Sequence, residues 1–256
     1  MNEASALQTQ ANDVFSLRGK TVLVTGASSG IGYQVAVSCA LAGASVVATG
    51  RNETRLAALV AQLEGPAHRF VVADLRDDSS VKALAGQIER IDGLVHSAGI
   101  SALAPLRLAT RGHIESQMDT NFVAPMLLTQ QLLLRNAVSN GGSIVFVSSI
   151  AAHIGVPGVC AYGASKAALE AMARSLSLEV AKKAIRVNCL APGLVDTPML
   201  KSARANVDSL DKTLAQYPLG LGQPEDVANA AIFLLSAASR WITGTTLTID
   251  GGHTVG

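Results

Sequence analysis

The stretch Thr21-Val22-Leu23-Val24-Thr25-Gly26-Ala27-Ser28-Ser29-Gly30-Ile31-Gly32 decides the fold. Its first half is a β-rich run and an apolar helical pattern follows its last glycine, so the glycines mark a strand-to-helix turn. Glycine there permits a tight turn, lets backbone approach a pyrophosphate and lets helix pack closely on strand. The helix N-terminus adds unpaired N–H donors and positive potential. The spacing is G-x-x-x-G-x-G and not the commoner G-x-G-x-x-G. Position therefore carries the reading: a second strand ends about twenty residues later, where a ribose would be read.

On either side of this junction the periodicity repeats. Further β-rich runs lie at Ser45–Ala48, Arg69–Val72, Gly93–Val95, Ser143–Val147, Ile185–Val187 and Leu247–Ile249. Helical spacing falls between them, at Val35–Leu41, Leu56–Leu63, Val81–Ile88 and Val227–Leu235. Near-continuously apolar strands alternating with helices predict an α/β fold, a Rossmann-like doubly wound sheet of seven parallel strands in a single domain. Gln223-Pro224-Glu225-Asp226 marks one helix start, with proline in the first turn and two acids at the positive end of the dipole.

The chain has 256 residues, of which 49% are hydrophobic and 15% charged, a balance that excludes disorder and suits one large core. Twenty Lys+Arg against nineteen Asp+Glu leave a charge of +1. No overall field draws this chain to nucleic acid or an anionic membrane, which leaves small-molecule chemistry. Cys39, Cys160 and Cys189 are too scattered for a disulfide framework or a metal site, so a cytoplasmic location is expected. His68, His113, His153 and His253 have no ligand spacing, and no metal is expected. Residues 1–15 read as a flexible leader without an apolar signal core, ahead of a domain spanning 16–256. The polar segment at about 194–217 follows a strand end, where a substrate cover would sit.

Two sites carry chemistry. Gly50-Arg51-Asn52 stands where an NAD-specific site would place an acid, and the Arg51 fork suits a 2′-phosphate, so NADP(H) is favoured with NAD(H) left open. Farther on, Tyr162 and Lys166 are four residues apart at the start of an apolar helix running to about Val180. They stack on one helical face, where the ammonium is expected to lower the tyrosine pKa toward a useful range.

TGASSGIG at 25–32, SSI at 148–150, YGASK at 162–166, RVNCLAPGLVDTPM at 186–199, and GQPEDVANAAIFLLS followed by ITGTTLTIDGG together resemble the short-chain dehydrogenase/reductase family. The resemblance covers about residues 17–252, in the single-domain form. It is nearest to 3-oxoacyl-[acyl-carrier-protein] reductases and the related sugar, polyol and ketone reductases. It implies that Tyr162 exchanges a proton with the substrate oxygen and that Lys166 holds ribose hydroxyls. Ser149 would hydrogen-bond the carbonyl, whereas Ser148 matches no catalytic role. Asn121 would hold a relay water on its main chain. The cofactor would meet Gly26, Ser28, Ser29, Gly30, Ile31 and Gly32 at the turn, Arg51 and Asn52 at the ribose, and Asp74 and Leu75 at the adenine. Ser97, Ala98 and Gly99 would line its middle, and Pro192, Gly193, Val195 and Thr197 its nicotinamide. The implied partners are a small carbonyl or alcohol substrate, an acyl thioester among the candidates, and sister subunits in a homotetramer.

The implied reaction is NADP(H)-dependent interconversion of a carbonyl and a secondary alcohol. The alternatives are an NAD-dependent alcohol or polyol dehydrogenase and a catalytically silent nucleotide-binding scaffold. Apart from the resemblance, Pro125 has no N–H, so the Asn121 carbonyl loses its i+4 donor and is freed for water. Two departures stand out. His96-Ser97-Ala98-Gly99 replaces the frequent Asn-Asn-Ala-Gly, and Ser28 stands where a second basic residue is common, leaving phosphate recognition mainly to Arg51. His96 reads as a structural histidine and Cys160 as packing. Gly142-Ser143 makes no hydrolase elbow.

Overall fold

The computed structural model describes residues 14–65, 67–204 and 213–255. Strands β1 (Thr21–Thr25), β2 (Ser45–Gly50), β3 (Arg69–Val72), β4 (Ile91–His96), β5 (Val138–Val147), β6 (Arg186–Pro192) and β7 (Thr246–Ile249) form one sheet. Their order is β3-β2-β1-β4-β5-β6-β7, and every pairing is parallel. The expected seven-stranded doubly wound sheet is thus the observed one.

Alternation along each strand feeds two cores. Val22, Val24, Val46, Ala48, Val145 and Val147 face helices α1 (Gly30–Leu41), α2 (Glu53–Gln62) and α8 (Pro224–Leu235). Leu23, Val47, Leu94, Ile144 and Phe146 face α3 (Asp78–Gly86), α5 (Ala124–Leu134) and α6 (Cys160–Glu179). Both faces are covered, which explains why the strands read as continuous apolar runs. The chain winds outward from β1 to β3 and returns to β4 on the other side of β1. This reversal opens a crevice at the carboxyl ends of β1 and β4.

The pattern around Asn121 is not one regular helix. Between α4 (Arg111–Met118) and α5 lies a π-helical turn, Asp119–Val123, closed by the Ala124 N–H donating to the Asp119 carbonyl. Pro125 follows at once and cannot donate to Asn121, as its missing N–H requires. At the chain's start, Val14 accepts from Ala238 N–H at 3.1 Å and the Phe15 ring lies 6.4 Å from that of Phe233. The end of the expected leader is therefore fastened to the C-terminal part of the domain; residues 1–13 lie outside the described residues. Cys160 is exposed and not packed as expected, because it opens α6 ahead of that helix's first buried residue, Gly163.

Candidate functional site

The crevice divides into two cavities. The larger, about 810 Å³, lies over the ends of β5 and β6 and is floored by Ser149, Tyr162 and Lys166. The smaller, about 240 Å³, lies over β1 to β3 and is lined by Gly26, Ser28, Ser29, Arg51, Asp74 and Leu75 among others. Ser97 and Gly99 border both.

At the floor of the larger cavity, Ser149 begins a short turn, Ile150–Ala152, by accepting from Ala151 N–H. Its hydroxyl also hydrogen-bonds the Tyr162 oxygen, though burial outweighs that bond and holds the phenol above its ordinary pKa. The expectation that Lys166 lowers this pKa is not met among the protein's own groups. Its Nζ donates to the Val147 carbonyl at 2.8 Å and stands 5.7 Å from the Tyr162 ring centroid, while burial is the largest influence on the phenol. The turn is held against α6 by close contact. A Cβ on Gly163 would meet the Ala151 carbonyl oxygen at 2.5 Å. One turn beyond Lys166, the buried Glu170 carboxylate accepts from Ser148 Oγ at 2.7 Å and lies 2.8 Å from His153 Nε2. Ser148 and Glu170 thus brace the Ser149 turn from behind. Spacing from Tyr162 could have pointed to Glu170, two turns on along the same face, but not to its partners.

Burial lowers Lys166 from 10.5 to about 8. Between those values the unfolded chain binds more protons than the folded one, so the stability this residue contributes rises with pH across that window. Lys166→Met should remove the slope. Urea denaturation of both proteins at the two ends of the window should show the wild type gaining on the variant as pH rises; a constant difference would refute the shift.

The Asn121 side chain is fully engaged. Its Nδ2 donates to the Ile100 carbonyl at 2.9 Å and to Ser165 Oγ at 3.0 Å, while its Oδ1 accepts from Ile100 N–H at 2.8 Å. Asn121 therefore ties the loop after β4 to α6. The loop's other anchor is Thr25 Oγ1, which accepts from both Ser97 and Ala98 N–H at 3.1 Å. His96 turns away, its Nε2 lying 2.8 Å from Thr129 Oγ1 and its ring stacked on Phe146. Burial lowers its pKa to about 3, so it stays neutral and structural, as expected.

Pro192, Gly193, Val195 and Thr197 form the far wall. Tyr217 secures them: its oxygen accepts from Leu194 N–H at 3.0 Å, and its ring stacks on His253 at 4.3 Å. A Cβ on Gly30 would touch Thr197 Cγ2 at 3.4 Å, so the glycine turn and this wall meet. Of the expected cover, α7 (Pro198–Arg204) is described and residues 205–212 lie outside the described residues.

The smaller cavity has the features a dinucleotide requires. Gly26, at φ +68°, has no room for a Cβ, which would lie 2.8 Å from Ala98 Cα and N. Ser28 Oγ lies beside Gly50 next to Arg51. Thr120 lines the cavity, and its buried Oγ1 finds no protein partner. A glycine turn packed directly on the loop after β4 at a helix N-terminus, a guanidinium and an orphaned hydroxyl fit a phosphorylated nucleoside. Asn52 takes another role: its side chain accepts from Arg55 N–H at 2.9 Å, capping α2, and it does not line the cavity. Sequence reasoning missed Arg76, which lines the cavity and pairs with Asp74 at 3.1 Å. That pairing, with Arg51 a smaller contributor, holds the Asp74 carboxyl below its ordinary pKa. The Asp-x-Arg spacing at the end of β3 was its one sequence signal.

No helix among the described residues is long and apolar enough to cross a membrane, and no cluster of metal-ligating side chains occurs among them. A crevice at the strand-order reversal, with a glycine cradle at one end and a Ser-Tyr-Lys floor at the other, defines an α/β oxidoreductase of the doubly wound class. The chain belongs to the short-chain dehydrogenase/reductase family: the family model described as enoyl-(acyl carrier protein) reductase matches residues 26–254. It is 35% identical over 240 residues to a 3-oxoacyl-[acyl-carrier-protein] reductase of Rickettsia bellii, covering 93% of this chain and 98% of that protein. It is 37% identical over 250 residues to D-threitol dehydrogenase of Mycolicibacterium smegmatis, covering 94% and 95%. Among solved structures, a gluconate 5-dehydrogenase from Burkholderia cenocepacia in complex with NADP and tartrate superposes with a TM-score of 0.89. That enzyme is 32% identical, and the match covers 96% of this chain and 99% of that one.

Proposed function

We propose that this chain is an NADPH-dependent carbonyl reductase, using NADH less well, in which Tyr162 delivers a proton to the carbonyl oxygen. One observation carries the reading: the Tyr162 oxygen, hydrogen-bonded by Ser149, sits on a cavity floor one helical turn from Lys166. When bound, NADPH supplies a hydride to the carbonyl carbon. Ser149 orients the carbonyl oxygen and Tyr162 protonates it. The alkoxide that hydride addition would leave is a far stronger base than a phenolate, so Tyr162, protonated in the resting site, can give its proton to it. Lys166 holds the ribose hydroxyls and passes protons toward Tyr162. The side chain of Asn121 is spent on Ile100 and Ser165, which leaves its main-chain carbonyl, in the π-turn before Pro125, as the group to hold a relay water.

Backbone at Gly26, Ser28, Ser29, Gly30, Ile31 and Gly32 receives the pyrophosphate, Asp74 and Leu75 flank the adenine, and Arg51 with Ser28 reads the 2′-phosphate. Ser97, Ala98 and Gly99 border the middle of the cofactor, and Pro192, Gly193, Val195 and Thr197 its nicotinamide. The proposal includes cytoplasmic residence, from the scattered cysteines. It also includes a homotetramer built on α5, α6 and β7, supported by the exposed apolar Leu134, Leu178 and Leu247 on those elements and Trp241 before β7. Light scattering at the monomer mass would remove the tetramer.

Nicotinamide fluorescence titrations test the cofactor reading. NADPH should bind at least about tenfold more tightly than NADH, a difference of ~1.4 kcal/mol. Arg51→Asp should weaken NADPH by roughly 100-fold, through loss of charge-assisted hydrogen bonds and repulsion of the phosphate, and should leave NADH nearly unchanged. An unaltered ratio would show that the phosphate is read elsewhere, with Arg76 the next candidate.

A further inference from the structure

The sequence left a small carbonyl or alcohol substrate and an acyl thioester open, and the relatives are named for 3-oxoacyl-[acyl-carrier-protein], D-threitol and gluconate. The larger cavity chooses. From the Ser149 and Tyr162 floor outward, its substrate side is Leu103, Ile154, Val156 and Val159 on one wall and Leu194 and Met199 on the other. Among the described lining residues there is no carboxylate and no arginine, and Lys166 is the one lysine. The Lys166 ammonium gives one of its three protons to the Val147 carbonyl, and the reductase reading assigns the rest of it to the cofactor ribose. Of the remaining polar groups, the Tyr217 oxygen is engaged by Leu194 N–H and the Tyr217 and His253 rings cover one another's faces. Ser97 and Gly99 also border the smaller cavity, and Ser101, Thr213 and His253 are among the other polar side chains of the lining outside the floor and the Tyr217 contact.

A carboxylate or a row of hydroxyls seated against these walls would shed its water and meet few charged or hydrogen-bonding side chains among the described lining residues. The mouth is apolar too: Leu103 is 42% exposed, Val156 40% and Met199 42%. Resting on the reductase reading above, we infer that the substrate is an uncharged ketone with a predominantly hydrocarbon body, seated between the Leu103–Val156 wall and the Leu194–Met199 wall. Its carbonyl oxygen is its one required polar contact, made to Ser149 and Tyr162.

The test compares three probes with NADPH: 4-phenyl-2-butanone, 5-keto-D-gluconate and acetoacetyl-CoA. The aryl ketone should show a kcat/KM at least about 100-fold above either of the others. Val156→Arg should cut the aryl-ketone value by at least about tenfold, since it places an unpaired cation in the pocket, and should raise the keto acid's. A higher kcat/KM for the keto acid or the thioester in the wild type overturns the inference and leaves the reductase reading intact. Where none of the three is turned over, quenching of bound NADPH fluorescence decides. Saturable binding of the aryl ketone, abolished by Val156→Arg, upholds the substrate class and sinks the Tyr162 chemistry. Absence of binding overturns the class.

Discussion

Tyr162→Phe should lower kcat by at least about 10³-fold, near the upper part of what positioned acid–base groups contribute, while NADPH affinity stays within about twofold. The change removes one oxygen, the one that Ser149 hydrogen-bonds on the cavity floor and that gives up the proton in the proposed step. The ring remains to fill its place beside Lys166 Nζ, and the glycine cradle lies in the other cavity, so cofactor binding has no reason to change. Ser149 keeps its cap on the Ile150–Ala152 turn and can still orient a carbonyl, but a serine hydroxyl is too weak an acid to replace the phenol. Single-turnover kinetics under saturating NADPH would report the chemical step directly. Residual activity above a tenth of wild type would refute the assignment.

Gly32→Ala is expected to be nearly as damaging, for a steric reason. A Cβ at residue 32 would lie 2.5 Å from the Gly26 carbonyl oxygen, 2.8 Å from its carbon and 3.0 Å from the Thr25 oxygen. Every clashing atom is backbone, so no side chain can swing aside; α1 must lift or the turn must open. Overpacking of this kind costs about 1–3 kcal/mol of stability. Displacing the helix N-terminus from the pyrophosphate should weaken NADPH binding by roughly 100-fold. Gly112→Ala is the control, because nothing lies within 4 Å of the added methyl and the site is in α4. Denaturant midpoints and NADPH titration of both variants check this. Equal behaviour of the two would show that the turn is more pliant than its contacts suggest.

Local pattern made the fold legible. Central strands buried on both faces must be apolar throughout, helices α2, α3 and α8 carry one apolar stripe, and the glycine turn must sit where β1 meets α1; each of these is written within a few neighbouring residues. Tyr162 and Lys166 were legible for the same reason, since a helix brings residues four apart together without help from the rest of the chain. Pro125 likewise disclosed a break in the helix at Asn121, because a missing N–H is a local fact.

Other features needed the assembled molecule. Arg76 enters the smaller cavity because β3 ends beside β2, and Asn52 leaves it because capping α2 takes its side chain. Glu170 reaches Ser148 and His153 only when α6 packs against the end of β5. The direction of the Tyr162 shift is set by burial, with the Ser149 hydrogen bond opposing it, whereas proximity to Lys166 in sequence suggested the opposite sign. The apolar walls of the larger cavity come from segments more than ninety residues apart, Leu103 and Met199 among them. Sequence alone determined which chemistry the chain carries, because those groups sit on single local elements. Tertiary structure decided which groups are desolvated and what surrounds them, because desolvation depends on neighbours that only folding brings together.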